Sequence, residues 1–229
     1  MDAANAKLIF KAGLGFTQLV VALALVLFVP AGTVRWVRGW VLLALFMGSS
    51  LAITLYLARK DPALLARRVH AGPLAEKEQT QKLIQGLAAL SFLSMIVVPA
   101  LDHRFGWSPA PLPVAIVGDA LVLLGFLAVF LVFRENSFTS SVIEVAAEQR
   151  VIDSGPYAVV RHPMYAGALV LVAGIPMALG SMVGLATFPP FTAVIIWRLL
   201  DEERFLVGHL GGYAAYRQKV RWRLIPHVW

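Results

Sequence analysis

The sequence predicts an all-α, polytopic integral membrane protein with about six transmembrane helices, the last two forming a C-terminal helical hairpin. Composition, the length of the apolar blocks and the placement of basic residues lead to this reading. Of 229 residues, 59% are hydrophobic and 14% charged, against roughly 45–50% and 25% in a soluble domain. A water-facing surface is hard to assemble from that material. The apolar residues also fall in blocks too long and too poor in charge for core strands or amphipathic helices.

Six blocks follow one another: Leu14 to Pro30, Gly39 to Ala58, Leu83 to Leu101, Val114 to Phe133, Ala166 to Leu179 and Val183 to Leu200. A spanning helix needs about 20 residues, so the first block is expected to extend toward Lys11. A cleaved leader is the lesser reading of that block, because Val29-Pro30-Ala31 is a poor cleavage site. The fifth block is short and only Gly180-Ser181-Met182 separates it from the sixth, which predicts a tight hairpin. Pro176, Pro189 and Pro190 are expected to kink it, as membrane helices tolerate when neighbours satisfy the freed carbonyls. The chain divides into an N-terminal four-helix region, 1–133, and a C-terminal region, 134–229, with the hairpin and an interfacial tail.

The net charge is +7, and its distribution carries more information than its size. Seventeen Lys and Arg lie in the N-terminus, the loops after the second and fourth spans, and the stretch from Arg198 onward; only Arg35, Arg38 and Arg104 lie on the alternate side. By the positive-inside rule both termini are cytoplasmic and the number of spans is even. The basic residues from Arg59 to Arg68 are read as topology and headgroup contacts, with no role for nucleic acid. The chain has no cysteine, which excludes a thiol nucleophile, a disulfide framework and a Cys-type zinc site. No metal centre is expected, and no obligate protein partner is evident.

Polar chemistry concentrates in two segments, Arg134 to His162 and Arg198 to Trp229, which topology puts on one face and the hairpin joins. The first holds Gly155-Pro156-Tyr157 and then Arg161-His162-Pro163-Met164-Tyr165-Ala166-Gly167. Proline fits a helix's first turn, so His162 sits just before a helix start, where free amides suit a ligand's polar edge. The second holds Arg198 and Asp201-Glu202-Glu203. Acids at a helix C-terminus oppose the dipole, so either the helix continues or the acids meet a cation. Arg198 and Glu202 are spaced i, i+4 and share a face. Tyr213-Ala214-Ala215-Tyr216 and the basic tail to Pro226 read as an interfacial helix able to fold back as a lid.

Taken together, Gly-Pro-Tyr, Arg-His-Pro-x-Tyr-x-Gly, Arg-x-x-x-Glu-Glu, Tyr-x-x-Tyr and Val-x-x-Arg-x-x-Pro resemble the isoprenylcysteine carboxyl methyltransferase family, from about Asn136 to Pro226. The related phospholipid methyltransferases share the Arg-His-Pro-x-Tyr region. The resemblance implies a membrane-embedded pocket for S-adenosylmethionine, open to the cytoplasm, with a lipophilic or lipid substrate entering from the bilayer. It assigns cofactor contacts to Gln149, Arg150, Val151, Ile152, Tyr157, His162, Pro163, Met164, Tyr165 and Glu202, and catalysis to Arg198 and Glu202, with Arg198 facing the substrate. Gln149 stands where the family usually has His. Methyl transfer is an in-line displacement in which the enzyme mainly positions its reactants. A carboxylate acceptor needs no base and Arg198 could hold it; an amine would need one, with Glu202 or Glu203 as candidates.

Two rivals come from other classes. A membrane reductase of the sterol-reductase type, using NADPH, also carries Arg-His-Pro-x-Tyr and Tyr-x-x-Tyr strings, but Glu202-Glu203 fits the methyltransferases better. A six-span carrier would place polar or broken helices near the midplane in both halves, and the first half offers only Gln85 and Asp119.

Overall fold

The computed structural model describes residues 3–69, 79–139 and 149–229. Lys77, counted above among the basic residues, and residues 140–148, within the resembling stretch, lie outside them. The described residues are all-α: α1 (Ala3–Ala31), α2 (Val37–Lys60), α3 (Pro62–Val69), α4 (Gln79–Phe105), α5 (Leu112–Glu135), α6 (Pro163–Ala178), α7 (Phe188–His209) and α8 (Tyr213–Lys219), with 3-10 turns at Gly155–Ala158 and Val183–Thr187. Five helical stretches are long and apolar enough to cross a membrane, and α6 is a shorter apolar helix. Large side chains such as Phe10, Val37, Leu90, Leu112 and Ile116 are more than half exposed. Apolar surface on that scale belongs in lipid.

The six apolar blocks appear in order, with differences at their ends. The first helix extends beyond Lys11 to Ala3, as the short block required. The short α3, after Asp61, lies in what reads as a basic loop; the Asp61 side chain caps the amide of Leu64 at 2.9 Å. Pro189 and Pro190 do not kink a helix interior. They occupy the first turn of α7, where proline removes no intrahelical bond. Pro176 lies in the last turn of α6. Helix α7 continues nine residues past the apolar block to His209, which carries Asp201, Glu202 and Glu203 as helix-interior residues.

Helices α5 and α6 form the tightest pair. A Cβ on Gly174 would stand 2.6 Å from the Gly118 carbonyl and 2.9 Å from the Leu121 Cβ. One on Gly125 would collide with the Leu171 backbone, and one on Gly167 would stand 2.9 Å from the Ala128 Cβ. The pairing 118 with 174, 125 with 171 and 128 with 167 runs antiparallel. Small residues let two membrane helices approach until their backbones touch, which is where packing in lipid finds its energy. Gly174→Val is expected to force the pair apart and destabilise the protein by ~1–3 kcal/mol. Thermal unfolding in detergent checks this; an unchanged midpoint rejects the close-packing account.

At the end of the bundle away from the C-terminal tail, Asp102 of α4 is buried. It accepts hydrogen bonds from the Ser108 amide and hydroxyl, both at 2.7 Å, and from the Ser181 hydroxyl at 2.5 Å. The Ala110 amide donates to the Gly180 carbonyl at 2.8 Å. The α4–α5 turn is thereby clasped to the α6–α7 turn, and the polar parts of α6 and α7 converge at the other end.

Candidate functional site

Where α6 begins, the chain arrives through the Gly155–Ala158 turn, with Gly155 at a φ of +54°. A Cβ there would meet only the end of the flexible Glu135 side chain, at 2.8 Å, so it is the φ that calls for glycine. The turn brings Tyr157 and then Arg161 and His162 to the N-terminus of α6, with His162 at the position before Pro163.

Arg161 and His162 are held from below by the tail. The Arg161 amide donates to the Trp222 carbonyl at 2.9 Å and the His162 amide to the Arg223 carbonyl at 3.0 Å. The Arg161 guanidinium donates to the carbonyls of Val220 and Arg221 at 2.9 and 2.7 Å, and through Nε to Glu203 at 2.7 Å. Glu203, 3% exposed, also takes the Nε of Arg223 at 3.0 Å and lies 3.2 Å from the His162 Nε2. Two guanidiniums and an imidazole thus meet one carboxylate. Such a cluster keeps buried charge satisfied, and it explains why acids occur at this point of α7. Glu203, one of two candidate bases in the sequence, is committed to this structural tie.

Glu202 points elsewhere. Its Oε2 accepts from the Tyr165 hydroxyl at 2.5 Å, and the same hydroxyl accepts from the Arg198 Nε at 3.1 Å. Arg198 and Glu202 form no direct ion pair among the described residues; Tyr165 joins them. Arg198 also donates through Nη1 to the Gln81 carbonyl oxygen at 3.1 Å, and Gln81 donates to Asp201. Helix α4 therefore fixes the arginine that α7 presents.

These groups line a cavity of about 560 Å³, inside the range of small-molecule and cofactor sites. Every sequence-predicted residue is on its wall: Gln149, Arg150, Val151, Ile152, Tyr157, His162, Pro163, Met164, Tyr165, Arg198 and Glu202. Residues that sequence reasoning missed join them. From the N-terminal helices come Arg68, Gln85, Ala88, Ala89 and Val129, and from the tail Tyr213 and Tyr216. Gln85 appears in the sequence only as a stray polar residue of the third span. The Tyr-x-x-Tyr spacing was a signal for the tail tyrosines, though it gave them no position.

Two tyrosines show what the cavity lacks. Tyr157 accepts from the Asn136 side chain at 3.0 Å, and burial raises its hydroxyl to a pKa of about 12, so it stays protonated at neutral pH. Burial also pushes the Tyr213 hydroxyl well above its ordinary value. Tyr213 is 4% exposed, and its hydroxyl has no hydrogen-bond partner among the described residues. Buried hydroxyls are rarely left unpaired, so a cavity wall carrying one is shaped for a polar ligand. The donor set is of a kind S-adenosylmethionine would need: the Glu202 carboxylate for a cationic or hydroxyl group, Tyr157, Tyr165 and Tyr213 for aromatic surface and a hydroxyl, and the Gln149–Ile152 segment beside them on the wall. Among the described residues no group of His, Asp and Glu could hold a metal ion.

Comparisons with known proteins agree with these strings. Residues 114–212 match the model of the phospholipid methyltransferase family. The chain is similar to the protein-S-isoprenylcysteine O-methyltransferase of Schizosaccharomyces pombe, 32% identical over 111 residues, covering 42% of this chain and 45% of that one. It is also similar to a Delta(14)-sterol reductase of Mus musculus, 30% identical over 105 residues, covering 42% of this chain and 25% of that one. The chain thus spans less than half the length of the curated relatives it matches. The resemblance to the membrane methyltransferases is borne out by the family model over residues 114–212 and by the first of these relatives.

Proposed function

We propose that this membrane protein, a relative of the isoprenylcysteine and phospholipid methyltransferases, transfers a methyl group from S-adenosylmethionine to a lipophilic carboxylate at the cytoplasmic face of the bilayer. The observation that carries the reading is the single cavity on which Gln149–Ile152, Tyr157, His162–Tyr165, Arg198 and Glu202 converge from three separate segments. The 17 to 3 partition of basic residues supports the cytoplasmic orientation. In this reading the region 134–229 supplies the cofactor side of the cavity, and α3, α4 and α5 of region 1–133 supply the wall toward the lipid.

The residues divide the work by chemistry. Glu202, held by Tyr165, takes a positively charged or hydroxyl group of the cofactor, and His162 to Tyr165 place the α6 N-terminus against it. Arg198, fixed by Gln81 and Tyr165, orients the acceptor's carboxylate by charge-assisted hydrogen bonds. When bound, S-adenosylmethionine supplies a methyl group on a sulfonium, which an ionised carboxylate takes in one displacement, the S–C electron pair staying on sulfur and no proton changing hands. The protein's contribution is orientation and exclusion of water.

Calorimetric titration in detergent tests the reading. The protein is expected to bind S-adenosylmethionine and not NADPH; tight NADPH binding with none for S-adenosylmethionine moves it to the reductases, for which the mouse relative is the supporting observation. Arg198→Ala is expected to spare cofactor binding and to lower kcat/KM for labelled-methyl transfer by about tenfold to a hundredfold. Unimpaired transfer rejects the role given to Arg198.

A further inference from the structure

Arg68 stands in the last turn of α3 and lines the cavity. Its guanidinium lies over the ring of Phe133, with Cζ 5.0 Å from the centroid. Among the described residues no carboxylate pairs with it, and Tyr165 is within its electrostatic reach. Burial lowers its pKa, but a guanidinium ordinarily so basic keeps its proton at neutral pH. Elsewhere at this end Arg161 and Arg223 share Glu203, and Lys219 pairs with Asp153 at 2.6 Å. A partly buried guanidinium, resting on an aromatic face and facing a cavity, is a group arranged for an anion that enters from outside the protein.

The position of the cavity wall says which ligand meets it. Arg68 comes from the N-terminal part of the chain, as do Ala88, Ala89 and Val129, which give the lining apolar surface suited to a lipid chain, and Arg198 donates to the Tyr165 hydroxyl on the same cavity. We propose that Arg68 is a second anion-recognising group of the cavity, which together with Arg198 selects acceptors bearing a free carboxylate over neutral lipids of the same shape. This rests on the methyltransferase reading above and names its acceptor class. It also gives methylation a second consequence, since the carboxylate that both arginines recognise becomes a neutral ester that neither holds. Arg68 is thus a specificity-determining residue contributed by the part of the chain outside the motifs.

The test compares an S-prenylated N-acetyl-cysteine carrying a free carboxylate with its methyl ester, the same molecule without the charge. Competition binding against a fluorescent prenyl probe is measured for wild type, Arg68→Gln and Arg68→Lys in detergent, alongside calorimetry with S-adenosylmethionine. Wild type is expected to prefer the acid. Arg68→Gln is expected to reduce that preference by about tenfold or more, as loss of one charge-assisted contact implies, with ester binding and cofactor affinity unchanged within about twofold. Arg68→Lys should restore part of the preference. Equal binding of acid and ester by wild type, or an acid preference that survives Arg68→Gln, overturns the proposal. Acid preference that depends on Arg68 without any methyl transfer upholds the anion site and removes the methyltransferase reading instead.

Discussion

Glu202→Gln is expected to weaken S-adenosylmethionine binding at least about a hundredfold, because a carboxylate facing a cationic ligand contributes both charge and a strong acceptor. The variant should remain folded. Glutamine keeps an oxygen that can accept from the Tyr165 hydroxyl, so the Arg198–Tyr165 contact survives. Calorimetry measures the affinity and thermal unfolding confirms the fold. Wild-type affinity in Glu202→Gln would remove the carboxylate from the cofactor site. The experiment separates two adjacent acids, both candidate bases in the sequence, of which the resemblance assigns only Glu202 to the cofactor.

The neighbouring substitution should act by another route. Glu203→Ala leaves Arg161 and Arg223 without their shared counter-charge in a site that is 3% exposed. Removing one partner from a buried ion pair typically costs ~3–5 kcal/mol. The expected result is a lowered unfolding temperature, rapid proteolysis after residue 210, and loss of cofactor binding because the tail releases Tyr213 and Tyr216 from the cavity wall. Glu203→Gln should fall between the two, since an amide oxygen accepts from one guanidinium without balancing the charge. Normal stability in Glu203→Ala would mean that the tail is held by its backbone hydrogen bonds alone.

That contrast marks where sequence reasoning stopped. The apolar blocks gave the spans because lipid imposes a length and a composition on any helix that crosses it. The strings around His162 and Arg198 could be placed on one cavity because the short hairpin forces their ends together. The partners of those strings were not legible. Gln81 reaches Arg198 across 117 positions, and no periodicity links a polar residue at the start of one span to an arginine at the end of another. Arg68 looked like a topology signal because an arginine near a membrane has that role by default. Only the packing of α3 against Phe133 shows that it turns inward. Glu203 and Glu202 differ by one position on a helix, and about 100° of rotation sends one toward the tail and the other into the cavity.

The tail's attachment also sets the order in which the protein can be completed. Arg161 is synthesised 59 and 60 residues before the carbonyls of Val220 and Arg221 that receive its guanidinium. The apolar segments are available to enter the membrane before those partners exist. A nascent chain can therefore hold all of these apolar helices and still have no finished ligand cavity. Competence waits on residues 220–223, which emerge after the apolar helices and fold back onto them.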